Sequence, residues 1–156
     1  MQNFRELTID IALSKRISGY ERIYEDGLRR RNSCVYYNTE YCKKFSGKSK
    51  ILASWKSNGK IVPHPAFCYL CPYYSIKDDG KIITADLLDI YIIYVNLKGQ
   101  LEKELEFIEN RLSEFSYSTS IALRRRREDL LTFLDDIISK IKILLEMIRI
   151  SETNGV

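Results

Sequence analysis

Cys34, Cys42, Cys68 and Cys71 are the only cysteines of the chain, and His64 is its only histidine. All five lie within one stretch, and the cysteine spacing is C-x7-C-x25-C-x2-C. Thiolates in two pairs are the donor set of a tetrahedral Zn2+ site. The tight Cys68/Cys71 pair lets two sulfurs reach one ion. The seven residues between Cys34 and Cys42 suit a pair that brackets a short hairpin or loop. Four thiolates fill the coordination sphere, so the pattern predicts a closed structural site rather than a catalytic one with an open position. An iron–sulfur cluster is the alternative cofactor, because Cys71-Pro72 matches the Cys-Pro that ends some cluster motifs. Disulfides or free core thiols are the remaining readings. His64 stands four residues before Cys68, as a second-shell hydrogen-bonding group, an alternate ligand or a plain surface residue.

Other chemistry finds little footing. Gly47-Lys48-Ser49 resembles the end of a P-loop, but the first glycine would fall at position 42, which is cysteine. There is no G-x-S-x-G and no H-E-x-x-H. Asp78-Asp79, Glu128-Asp129 and Asp135-Asp136 read as turn, cap and solvated helix surface. The sequence therefore predicts a non-enzymatic protein.

Charge is distributed unevenly. Residues 28–81 carry eleven basic and three acidic side chains, net +8, against −1 for residues 1–27 and −3 for residues 82–156. The cysteine-bearing segment is thus the basic one. Lys43, Lys44, Lys48, Lys50, Lys56 and Lys60 surround a predicted strand hairpin that carries Trp55, and Arg29, Arg30 and Arg31 close the helix before it. Arg124, Arg125 and Arg126 begin a run that ends at Arg127 on a later helix. Cations supply phosphate affinity and aromatic rings stack on unpaired bases. These residues are the candidate contacts of a DNA- or RNA-binding surface. Helix-dipole pairing and salt bridges are the alternative use of the arginines.

The elements that must position these groups are mainly helical. Residues 3–18 form a helix with Phe4, Leu7 and Ile11 on one stripe and Ile9, Leu13 and Ile17 on another. A second helix runs from Tyr20 to about Arg30. In residues 33–81 helical periodicity disappears. Asn58-Gly59, the preferred type I′ pair, joins a strand ending at Lys56 to one at Lys60–Val62. From Thr84, read as a helix N-cap, apolar residues recur at 4-3 spacing through Leu87, Tyr94, Leu101 and Ile108, and again through Leu130, Leu134, Ile137 and Leu144. The short link between them predicts an antiparallel, coiled-coil-like helical hairpin. Leu131, Ile138 and Leu145 widen the second helix's apolar face beyond what two strands need. The N-terminal helix or a second copy of the hairpin would cover it.

The organisation expected is an N-terminal helical segment (1–32), a small metal-stapled loop and β-hairpin subdomain (33–81), a helical hairpin (82–150) and a tail (151–156). No apolar run approaches the roughly 20 residues that span a bilayer. Ile-, Lys-, Arg- and Glu-rich composition is thermophile-like. The N-terminus lacks a signal-peptide core, so a cytoplasmic, intracellular protein is expected. The leading functional reading is a zinc-stabilised nucleic-acid-binding protein with a hairpin for dimerisation or partner docking. A zinc-stapled protein scaffold or adaptor is the second, and an iron–sulfur protein the third.

Overall fold

The computed structural model describes residues 4–46, 55–114 and 120–153. Among them it is mainly helical, with five helices and one two-stranded ribbon. In order these are α1 (Phe4–Arg16), α2 (Tyr20–Ser33), β1 (Lys56–Ser57), β2 (Lys60–Ile61), α3 (Pro65–Leu70), α4 (Leu87–Leu112) and α5 (Ser120–Thr153). No described helix is long and apolar enough to cross a membrane.

The chain divides into two compact units: residues 1–90 with 143–156, and Tyr91–Lys142. In the first, α1 buries one of its two stripes, Ile9, Leu13 and Ile17, and leaves Leu7 and Ile11 exposed. Arg16 of α1 pairs with Glu146 of α5 at 2.7 Å. Gly19 breaks α1 from α2 with a positive φ of 74°, a conformation glycine adopts at little cost. Asn58 and Gly59 have φ of 51° and 79°, as a type I′ turn requires, and β1 pairs antiparallel with β2 around them. The part of the predicted first strand that precedes Trp55 lies outside the described residues.

Two local expectations are corrected. Residues 65–70 are helix α3 rather than a loop, because His64 caps it and Pro65 opens it. The cap of α4 is Asp86, not Thr84. The Asp86 carboxylate accepts from the Leu88 N–H, and Asp89 accepts from the Asp86 N–H, a reciprocal arrangement that satisfies two orphan donors. Thr84 instead pairs its hydroxyl with that of Ser46 at 2.9 Å.

In the second unit Tyr94, Leu101 and Ile108 of α4 and Leu130, Leu134 and Ile137 of α5 are buried. Arg126 pairs with Glu104 and Arg127 with Glu109. Lys98, three residues before Leu101, pairs with Glu102 at 2.7 Å. Leu131 and Ile138 stay 39% and 47% exposed. The residues linking the two helices, 115–119, lie outside the described residues.

Candidate metal centre

The last turn of α2, the loop that follows, and α3 bring the cysteines together. Cys34 is the residue that ends α2; its N–H donates to the Arg31 carbonyl, and its own carbonyl accepts from the Tyr37 N–H. The chain then doubles back. The Asn38 side-chain oxygen accepts from the N–H groups of Glu40 and Tyr41, and Tyr37 faces Cys42 in an antiparallel bridge. Cys42 also donates its N–H to the Ile61 carbonyl at 2.8 Å, which ties it to β2. Cys68 lies within α3 and Cys71 ends it. Helices α2 and α3 pack closely because residue 27 is glycine: a Cβ there would stand 1.9 Å from the Pro65 carbonyl oxygen.

All four cysteines border one small cavity of about 20 Å³, together with Arg30, Arg31, Tyr37, Phe45, Phe67 and Tyr74. Among the described residues no disulfide joins the four cysteines. Burial pushes the Cys71 thiol up to about 12, and the charges of Cys42 and Cys34 push the same way. Burial likewise raises Cys68 well above the ordinary thiol value, reinforced by Cys71, Cys42 and Cys34. Cys42 is raised by burial and by Cys34, against hydrogen bonds from the Lys44 and Phe45 backbone. Ionised sulfurs are therefore disfavoured here by desolvation and by one another. Such thiols are inert as nucleophiles; a bound cation reverses that balance. Among the described residues no group of three or more His, Cys, Asp or Glu side chains already stands close enough to hold a metal.

Two arginines form part of the cavity wall. Arg30 donates to the Cys71 carbonyl at 3.1 Å and stacks 4.5 Å from the Tyr74 ring centre. Arg31 donates to the Pro63 carbonyl at 3.1 Å and stacks 5.0 Å from Tyr37. The Nε–H of each is buried and has no acceptor among the described residues.

His64 is turned to a different task. It is fully buried. Its Nδ1 accepts from the Ala66 N–H, and its Nε2 lies 2.7 Å from an Asp10 carboxylate oxygen. Tyr20 hydrogen-bonds the same oxygen, and burial followed by Asp10 raises the Tyr20 hydroxyl above its usual range. With both nitrogens engaged, His64 joins α1, α2 and α3 and has no lone pair left for the thiol cavity. His64-Pro65 was the available signal for this cap, since proline favours the first helical position.

The other basic candidates are dispersed. Lys44 is buried, with its ammonium 2.9 Å from both Asp79 oxygens and 4.7 Å from the Tyr36 ring centre. Lys43 pairs with Asp78, Arg29 with Asp26, and Arg126 with Glu104. Lys60 stacks on Tyr41. Trp55 is buried against Phe67, with ring centres 5.2 Å apart. Arg124 and Arg125 are exposed. Lys48, Lys50 and the Lys56 side chain lie outside the described residues. The inward turn of Arg30, Arg31 and Lys44 has no signature in composition. No family model, no curated protein and no solved structure matches the chain.

Proposed function

We propose that the protein is a zinc-stapled, non-enzymatic docking protein. Cys34, Cys42, Cys68 and Cys71 would hold one Zn2+, and residues 82–150 would form an antiparallel helical hairpin that docks a protein partner, in the first instance a second copy. The observation that carries the metal reading is the single cavity bordered by all four thiols. About 10–15 Å³ accommodates one water-sized body, so a cavity of about 20 Å³ suits a single ion. A cluster of several irons and sulfides needs more room, which ranks it below zinc. Four sulfurs are a zinc donor set, and two buried N–H groups without acceptors beside them fit a site destined for anionic sulfur. When bound, zinc supplies cross-linking free energy to a segment with little core of its own. Leu131 and Ile138 support the docking role, as apolar side chains left exposed along α5.

Elemental analysis of the purified chain, beside its visible spectrum, tests the reading. One zinc per chain and no visible absorbance are expected, and Cys68→Ser/Cys71→Ser should lose the metal. Stoichiometric iron with a brown absorbance, or no metal at all, would overturn it.

Nucleic-acid binding stands second. The net +8 of residues 28–81 favours it. Against it, Arg30, Arg31 and Lys44 have internal partners and Trp55 is buried. Titration of labelled DNA and RNA at two salt concentrations decides: affinity that falls steeply with salt would promote this reading.

A further inference from the structure

We propose that Arg30 and Arg31 are the counter-charges of the thiolate centre: with the ion bound, each donates its Nε–H to a metal-bound sulfur, Arg30 from its place on the Cys71 carbonyl and Arg31 from its place on the Pro63 carbonyl. The inference rests on the metal reading above and says how the site tolerates its own charge. Four thiolates around Zn2+ leave two net negative charges in a place walled by Phe45, Phe67 and Tyr side chains. A buried charge without compensation is costly. Two guanidinium groups border the same cavity and restore neutrality.

Their geometry is specific. Each guanidinium is already fixed on its outer side, Arg30 by the Cys71 carbonyl and the Tyr74 ring, Arg31 by the Pro63 carbonyl and the Tyr37 ring. What remains buried and unpartnered is Nε in both. Carbonyl and ring together hold the fork in one orientation, so the unused donor is a positioned one rather than a loose surface group. The side of each follows from contact. Arg30 bonds the Cys71 carbonyl and Arg31 the Pro63 carbonyl, and both guanidinium groups line the cavity that the four sulfurs border. Lysine could supply the charge but not a donor in this plane. These are positioning residues, acting on the ion through its ligands.

The test uses the full chain and its Arg30→Gln, Arg31→Gln, Arg30→Lys and Arg31→Lys variants. Zinc affinity is read by competition with a chromophoric chelator. The sulfur-to-metal charge-transfer band is read after loading with Co2+. Groups that orient metal ligands typically change affinity by about 10–100-fold, and that loss is expected for each glutamine variant. A sulfur relieved of its N–H donor gives up electron density more easily, so the cobalt band should move to lower energy in all four variants. The lysine variants keep the charge and should lose less affinity while showing the same band shift. A purely structural role, through the two carbonyls, would lower stability and leave the band in place. A wild-type chain that takes up neither zinc nor cobalt removes the metal reading and this inference together. Metal uptake with unmoved band and unchanged affinity in the variants removes this inference alone.

Discussion

At the scale of single residues, the fold commits its single histidine to architecture. His64 caps α3 and bridges to Asp10. Loss of a cap costs about 1 kcal/mol, and loss of a buried hydrogen bond to a carboxylate about 1.5–3 kcal/mol. His64→Ala should therefore destabilise the protein by roughly 2–4 kcal/mol in denaturant titration, while the zinc stoichiometry stays as in the wild type. A lost zinc would instead make His64 a ligand. The Lys44–Asp79 pair adds one acid-sensitive contribution. Hydrogen bonding from the Lys44 ammonium, then from the Lys81 N–H, holds the Asp79 carboxyl at about 2. Burial alone would lower the Lys44 ammonium, but Asp79 raises it above its ordinary value. A carboxyl depressed in the folded state stabilises above its unfolded value, near 4, and that contribution vanishes as pH falls toward 2. The thermal midpoint of Asp79→Asn should lie below wild type at pH 6, and the gap should close between about pH 4 and pH 2. The gathering of the four cysteines around one cavity was legible because all of them fall between positions 34 and 71. The direction of Arg30, Arg31 and Lys44 was not, because a surface lysine and a buried one have the same sequence neighbourhood; Asp79, its partner, is 35 positions away.

At the scale of elements, the long periodic helices were readable and the short capped one was not. Thirty residues of heptad outweigh local exceptions, whereas α3 spans six residues and rests on its His-Pro start and on contact with α2. That contact predicts opposite outcomes for two glycines. Gly27→Ala must push backbone away from the Pro65 carbonyl, and overpacking of this kind costs typically about 1–3 kcal/mol. It should also weaken zinc binding, since Cys34 and the Cys68/Cys71 pair lie on the two helices being separated. Gly99 sits inside α4 with open space around it. Gly99→Ala should stabilise the protein by about 0.5–1 kcal/mol, measured as a raised thermal midpoint. Along α5 the sequence runs Arg124–Arg127 and then Glu128, Asp129, Asp135 and Asp136. Two copies packed parallel would set like charge on like; antiparallel packing sets the basic block opposite the acidic one. If the hairpin docks a second copy through Leu131 and Ile138, Leu131→Asp should turn a dimer into a monomer in sedimentation. A wild-type chain that sediments as a monomer would point the docking face at a different protein.

At the scale of the whole molecule, the first unit is completed by a segment far along the chain. Ile143, Leu144, Met147 and Ile148 are buried in it. Apolar periodicity showed that these residues face a core but not which one, since core membership is a long-range property. If the cavity holds the proposed zinc, its withdrawal with a strong chelator should loosen this unit, read as altered fluorescence of buried Trp55, while the helical signal carried by residues 91–142 largely persists. The same discontinuity bears on how the chain reaches its fold. Glu146 meets Arg16 across 130 positions, so the final core forms only when a very long loop closes, and the entropy of closure must be met before its contacts repay it. Local helix pairing in residues 91–142 is the quicker event. The two stretches flanking it, which belong to one core, should lock together late, and the slow phase of refolding should track mutations at Met147 and Leu13 rather than those at Leu101 or Leu134.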